Sequence, residues 1–145
     1  MGQRWRQISF RDHPNLKIPT AATGLGNGAV EGGVISALSF NLPGGTTLLF
    51  NSEIDSFKNL NGSGYHANAI GLVNLSREVA KDVTGYLEFW VNDNYDPVRT
   101  IHQKSIDTAL AWAVRKDTQI DIGANFGLTH DTPVRQFYLG VAQRF

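Results

Sequence analysis

Cysteine is absent from the 145 residues, which removes disulfides, thiol nucleophiles, iron–sulfur clusters and cysteine-ligated zinc from consideration. Charge of one sign is absent as well. Thirteen Lys and Arg balance thirteen Asp and Glu, so no electrostatic footprint points to nucleic acid as a partner. Charged residues make up only 18% of the chain, against roughly 25% in an ordinary soluble domain. Long apolar runs are missing too: the longest clean stretch, Ala109 to Val114, is six residues, far short of the roughly 18 a spanning helix needs. Met1 to Arg6 carry two arginines with no apolar segment after them, so no secretory signal peptide is expected in these residues. What is abundant is glycine, with 15 residues, and the length suits one domain better than two.

The hydrophobic period is two rather than 3.6, which predicts an all-β chain. From 119 to 129, Ile120, Ile122, Ala124, Phe126 and Leu128 alternate with Gln119, Asp121, Gly123, Asn125 and Gly127. The preceding stretch sets Ile106, Thr108, Leu110, Trp112 and Val114 against Ser105, Asp107, Ala109, Ala111 and Ala113. Val83, Gly85, Leu87, Phe89 and Val91 oppose Thr84, Tyr86, Glu88, Trp90 and Asn92, and Phe137, Leu139, Val141 and Phe145 oppose Gln136, Tyr138, Gly140, Ala142 and Arg144. Residues 46 to 56 alternate in the same way. Residues 31 to 41 and 65 to 77 alternate less cleanly, because Ile35, Ile70 and Leu72 fall on the polar parity. With 101 to 114 and 135 to 145, seven strands are expected, and Leu16 to Thr20 reads as the end of an eighth. Residues 1–14 are expected to be irregular, with the strands occupying 15–145.

Connections alternate in length. Those around Pro43, Gly44 and Gly45, around Glu78 to Asp82, and around Arg115 to Thr118 are short enough for hairpins. Those at 21–30, 57–64 and 93–100 are longer and more polar. Short turns at one end and longer loops at the other are what transmembrane β-barrels show. Strands of 10 to 13 residues exceed the roughly 5 to 6 of soluble sheets and match the roughly 9 to 11 of a tilted membrane strand. The expected fold is therefore an antiparallel up-and-down transmembrane β-barrel of about eight strands, alone or as the C-terminal portion of a larger barrel. Isolated charges on the polar parity suit a hydrated lumen better than a dry core. The candidate lumen-lining residues are Glu53, Glu88, Asp107, Asp121, Asn125, Tyr138 and Arg144. The candidate lipid-facing residues are Phe89, Leu110, Trp112, Ile120, Ile122, Phe126, Leu139 and Phe145. Trp5, Trp90, Trp112, Tyr65, Tyr95 and Phe145 fall near strand ends, as an interfacial aromatic girdle requires.

The segment Asn15-Leu16-Lys17-Ile18-Pro19-Thr20-Ala21-Ala22, followed by Gly24-Leu25-Gly26-Asn27-Gly28, resembles the strand end and glycine-rich loop of a family of bacterial outer-membrane barrels. The family is assigned to transport in the meta-cleavage pathway of phenol degradation. Residues 119–129, Phe137 to Val141 and the terminal Arg144-Phe145 are similar to that family's last hairpin, and the similarity runs from about residue 15 to the end. A terminal Phe145 with Gly140 upstream is similar to the insertion signal of such barrels, although Gln143 and Tyr138 depart from it. The resemblance implies an outer-membrane location, outer-membrane lipid and the barrel-assembly machinery as partners, and a small-molecule solute, aromatic or hydrophobic, as cargo.

Other motifs lead less far. Gly24 to Gly28 opens no helix and so is not a dinucleotide fingerprint. His66, His102 and His130 all fall toward the long-loop end, but their spacing is not that of a local metal site, and no metal or cofactor is expected. Asn92-Asp93-Asn94-Tyr95-Asp96 offers oxygen ligands without the glycine and distal glutamate of a calcium loop, and reads as an exposed turn. Asp121, Asn125, Tyr138 and Arg144 share one parity on neighbouring strands, which allows a carboxylate–guanidinium pair. No serine or threonine has an acid and a histidine at nucleophile spacing, so no catalytic residue is assigned and the chain is not read as an enzyme. The leading reading is a passive outer-membrane channel for small solutes. The alternative is a soluble β-barrel or sandwich that binds an apolar ligand, with the apolar parity turned inward.

Overall fold

The computed structural model describes residues 8–22 and 25–144. Trp5, Gly24 and Phe145, to which the sequence assigned a girdle, a loop and a lipid-facing role, lie outside the described residues. The fold is all-β, with strands β1 (Ile8–Lys17), β2 (Glu31–Leu42), β3 (Thr46–Lys58), β4 (Tyr65–Ala80), β5 (Val83–Asn94), β6 (Ile101–Arg115), β7 (Thr118–Gly127) and β8 (Arg135–Gln143). They form one antiparallel sheet in the order β1-β2-β3-β4-β5-β6-β7-β8, each strand hydrogen-bonded to its sequence neighbour. This is an up-and-down, barrel-like sheet, and it is not closed: every contact between strands is between sequence neighbours, so β1 and β8 do not meet. No helix of the described residues is long and apolar enough to cross a membrane.

Period-two alternation became strands because each ladder keeps parity. Phe50 pairs with Val73, Val73 with Phe89, Phe89 with Ile106, and Ile106 with Phe126, so one apolar row crosses five strands. Leu110, Ile122 and Leu139 form a second row, and Trp112, Ile120 and Val141 a third. A one-residue slip anywhere would send the whole apolar set to the other face, so register and pattern enforce each other.

The connections fall as the sequence indicated, short at one end and longer at the other. Gly44 and Gly45 take φ of 83° and 76° in the β2–β3 turn, a left-handed geometry that glycine adopts without a Cβ penalty. Residues 81–82 and 116–117 close the β4–β5 and β6–β7 hairpins. Beside them the register shifts between Glu78 and Ala80 and between Ala113 and Arg115, so Val79 and Val114 are the extra residues of β-bulges, which tighten strand twist as a hairpin closes.

The N-terminal boundary differs from expectation. Residues 8–14, expected to be irregular, form most of β1, and the strand ends at Lys17 instead of running to Thr20. Pairing with β2 decides this: Phe10 lies opposite Leu38 and Leu16 opposite Gly32. Pro14, which offers no ladder donor, is tolerated because β1 is an edge strand.

Burial is inverted relative to a soluble domain. Among the described residues only Ala29 and Ala111 are buried apolar side chains, whereas Glu31, Asp55, Asn68, Asp96 and Ser105 are buried polar ones. Leu110, Ile122 and Leu139 are 48%, 58% and 73% exposed. The sheet therefore curls toward its polar face, and no second layer covers the apolar one.

Candidate functional site

The polar face is built from the alternate residues of each strand. At its centre Asn74 lies opposite Glu88, Glu88 opposite Asp107, Asp107 opposite Asn125, and Asn125 opposite Gln136. Asn74 Nδ2 donates to Glu88 Oε2 at 3.1 Å, and Ser105 Oγ donates to Asp107 Oδ2 at 3.1 Å. The other Asp107 oxygen, Oδ1, is buried with no hydrogen-bond partner among the described residues.

One strand further on, two glycines shape the surface. The Tyr138 ring lies across Gly123, and the Asp121 carboxylate lies across Gly140, so closely that a Cβ on either glycine would collide with it. An aromatic ring laid over a strand glycine restores the packing that the missing side chain forfeits. Here it also fixes the phenol above the sheet beside the carboxylates. Asn74, Tyr86, Glu88, Asp107, Asp121 and Tyr138 thus enclose much of a recess of about 380 Å³. Its lining holds three carboxylates and no lysine or arginine. Two larger grooves, of about 600 and 490 Å³, run mainly over the apolar face where Gly85, Thr108 and Ala124, and Ser36, Ser52 and Gly71, leave gaps between larger side chains.

Six of the seven lumen candidates share this face. Glu88, Asp107 and Asn125 lie in one row, Asp121 and Tyr138 flank it, and Glu53 sits apart between Ile35 and Ile70. Arg144 lies beyond the end of β8, where its backbone N–H donates to the Asp117 carbonyl at 2.8 Å. The Asp121–Arg144 ion pair allowed by parity does not form among the described residues, because Asp121 is opposite Gly140, well inside the strand. Of the apolar candidates, Phe89, Leu110, Trp112, Ile120, Ile122, Phe126 and Leu139 all occupy the opposite face by register. Trp90 does not join a girdle: it points to the polar face, between Leu72 and Ser105. Tyr65 and Trp112 are on the apolar face near opposite ends of the sheet, and Lys58 Nζ stands 4.9 Å from the Tyr65 ring centre.

At the long-loop end, Asp96 corrects the reading of 92–96 as an exposed turn. Its side chain is 2% exposed. It accepts from the backbone N–H of Leu60 at 2.8 Å, Val98 at 2.7 Å and Arg99 at 3.4 Å, and so ties the β5–β6 loop to the β3–β4 loop. Burial alone would raise the Asp96 pKa. The three N–H donors and the nearby His66 outweigh it, and the carboxyl is held below the ordinary value. His66 Nδ1 lies 2.9 Å from Asn59 Oδ1 and 3.3 Å from Asp96 Oδ2. Glu31 anchors the next loop, accepting from Lys17 Nζ at 2.7 Å and the Lys58 N–H at 2.8 Å.

His66, His102 and His130 do reach the same end but stay apart. His102 Nδ1 contacts Asp93 at 2.7 Å and the His130 side chain is fully exposed. No group of three metal-ligating side chains forms among the described residues. The period-two pattern sets Tyr86 and Gln119 on the polar parity without singling them out, and Asn74 lies in the 65–77 stretch that alternates less cleanly. The tie from Asp96 to the β3–β4 loop carried no local signal, since Leu60 is 36 residues away.

No curated protein and no solved structure matches the chain. A sequence family described as "Putative MetA-pathway of phenol degradation" matches residues 13–145. That span takes in seven whole strands and half of β1, and the chain accordingly belongs to the MetA-pathway of phenol degradation family.

Proposed function

We propose that the chain forms the wall of a bacterial outer-membrane β-barrel whose polar face lines a route for small solutes, and that transfer along it is passive. The observation that carries this reading is the inverted burial: continuous apolar rows exposed on one face, carboxylates and amides sheltered on the other, and a single layer between them. In water such a face costs roughly 25 cal/mol for each Å² left exposed. Against hydrocarbon the cost vanishes, while the seven ladders between neighbouring strands satisfy the backbone groups inside the sheet without solvent. Loop asymmetry supports the same reading, with the short turns on the periplasmic side.

On this reading outer-membrane lipid occupies the grooves of the apolar face, the assembly machinery inserts the strands, and a small solute is the remaining partner. The recess beside Tyr86 and Tyr138 offers ring faces together with hydrogen-bond acceptors, which suits small aromatic or otherwise hydrophobic solutes carrying a polar group. The family description, which names phenol degradation, favours the aromatic class. No residue is assigned to catalysis, and no chemical step is proposed. A soluble barrel binding an apolar ligand would carry its apolar rows inward.

Cell fractionation with heat-modifiable gel mobility tests the proposal. The chain is expected in the outer-membrane fraction, with unheated samples migrating differently from boiled ones. Recovery in the soluble fraction, with one mobility at both temperatures, would overturn it.

A further inference from the structure

We propose that the outward rim of the sheet at its long-loop end binds the phosphate groups of outer-leaflet lipid, with Lys104 and Arg135 as the central pair and Lys58 further along the same rim. This rests on the membrane reading above and concerns residues to which that reading gives no role.

The equal counts of acidic and basic residues conceal a sorting by face. From β2 to β8 the inward parity holds acids, Glu53, Asp55, Glu88, Asp107 and Asp121 among them, and no lysine or arginine. The outward parity holds every lysine and arginine of those strands: Lys58, Lys104 and Arg135 toward the long loops, Arg77 and Arg115 toward the short turns. The one outward acid, Asp93, is engaged by His102 Nδ1 at 2.7 Å. A charge that faces hydrocarbon is costly at mid-height and inexpensive near the headgroups, which accounts for placement at the rims. It does not account for the sign, because desolvation penalises either charge. A rim of one sign is complementary to a surface of the other, and lipid phosphate supplies it.

The long-loop rim is shaped for that partner. The Lys104 carbonyl accepts from the Leu128 N–H at 2.8 Å, level with the end of β7, and Arg135 opens β8 opposite Phe126. The two residues flank β7, with backbones about 12 Å apart at ordinary strand spacing and rise, a gap that two long side chains can close around one phosphate. The arginine fork suits two phosphate oxygens, and the lysine adds a point charge. Both residues are exposed, and neither has a carboxylate partner among the described residues. Asp131, the acid of the β7–β8 loop, accepts from the His102 N–H at 2.9 Å, and the hydroxyls of Thr132 and Thr129 accept from the Lys104 N–H at 2.9 and 3.2 Å, which fixes the loop at this level. Lys58 Nζ stands 4.9 Å from the Tyr65 ring centre, and Tyr65 and Tyr95 are half exposed at the same end, as interfacial tyrosines are. What selects a lipid over a free anion is the surface that continues from Arg135: Phe137 and Leu139 follow it along the outward face of β8, both exposed, so a phosphate held at the rim lays its acyl chains on an apolar wall.

The test titrates the detergent-solubilised full chain with lipid A, the phosphorylated glycolipid anchor of the outer leaflet, with lipid A stripped of its phosphates, and with inorganic phosphate, reading bound adducts by native mass spectrometry. Lipid A is expected to bind at least tenfold more tightly than its dephosphorylated form, and the difference should shrink as salt is added. Lys104→Gln and Arg135→Gln are each expected to weaken lipid A binding about fivefold, while Lys104→Arg and Arg135→Lys keep most of it. Equal binding of the two lipids by the unsubstituted chain would overturn the proposal without recourse to any variant. Unchanged binding by a heat-modifiable Lys104→Gln/Arg135→Gln double variant would also overturn it, as would displacement of lipid A by inorganic phosphate at comparable concentration. Each of these results leaves the membrane reading intact, whereas recovery of the chain in the soluble fraction would overturn both.

Discussion

Glu88 and Asp107 stand directly opposite each other across the β5–β6 ladder, both on the polar face, with no lysine or arginine lining their recess. Like charges in opposed positions destabilise a sheet, and exchanging such a pair for a neutral one is worth about 0.2–1 kcal/mol. Asp107→Asn keeps an oxygen that can accept from Ser105 and removes the repulsion. The variant is expected to raise the urea midpoint of the detergent-solubilised protein, and the gain should shrink as salt is added. A loss of stability at every ionic strength would mean that the pair is held by a bound cation.

The contact between Tyr138 and Gly123 defines the next expectation. A methyl at 123 collides with the Tyr138 ring, and overpacking of this kind costs about 1–3 kcal/mol. Gly123→Ala should destabilise by that amount, Tyr138→Ala should destabilise on its own, and the double variant should lose less than the sum, because the two changes share one contact. Strict additivity in urea unfolding would show that the ring does not rest on the glycine.

The two faces should respond oppositely to a new charge. Leu110 sits near mid-height on the apolar face, in a row with Ile122 and Leu139. Arginine at the bilayer midplane of a lipid-facing position costs about 2–4 kcal/mol, so Leu110→Arg should sharply reduce the heat-modifiable fraction. Asn125→Arg, one strand away on the polar face opposite Asp107, should be tolerated. A soluble barrel with its apolar rows packed inward would also reject the first change but would show no heat-modifiable form, so the pair is scored by gel mobility in outer-membrane extracts.

How far the sequence discloses this arrangement depends on whether a strand's neighbours repeat its own pattern. β5, β6 and β7 are legible because central apolar residues meet others across two ladders, as Phe89 does with Val73 and Ile106 and Ile122 with Leu110 and Leu139. β2 and β4 are less so, since Ile35 and Ile70 flank Glu53 and make an apolar patch within the polar face. β1 is nearly invisible: Asp12 and Pro14 interrupt its apolar parity, and pairing with β2 alone decides its extent. On the site side, the row through Glu88 and Asp107 follows from parity plus register. The Tyr138–Gly123 and Asp121–Gly140 overlaps depend on side-chain direction between strands, which alternation does not encode.

Asp96 gives the long loops a pH dependence whose sign follows from its surroundings. The carboxylate accepts from Leu60, Val98 and Arg99, and these donors hold its pKa below the ordinary value against the opposing effect of burial. A folded pKa lower than the unfolded one contributes stability that is fully present above the unfolded value, about 3.9, and is lost as pH falls through the lowered folded value. Between pH 7 and 5 the Asp96 carboxylate should therefore stay ionised and keep its three N–H donors at the junction of the β3–β4 and β5–β6 loops. Below about pH 4 the Leu60 and Val98 amides should lose protection against hydrogen exchange, measured relative to their intrinsic rates. Asp96→Asn, which leaves one acceptor oxygen where there were two, should reduce that protection already at neutral pH and flatten the acid response. Sheet amides such as those of Phe89 and Ile106 should be unaffected, because a change confined to two loops leaves the ladders intact. Protection of Leu60 that stayed constant down to pH 2 would show that the carboxylate does not hold the loops together.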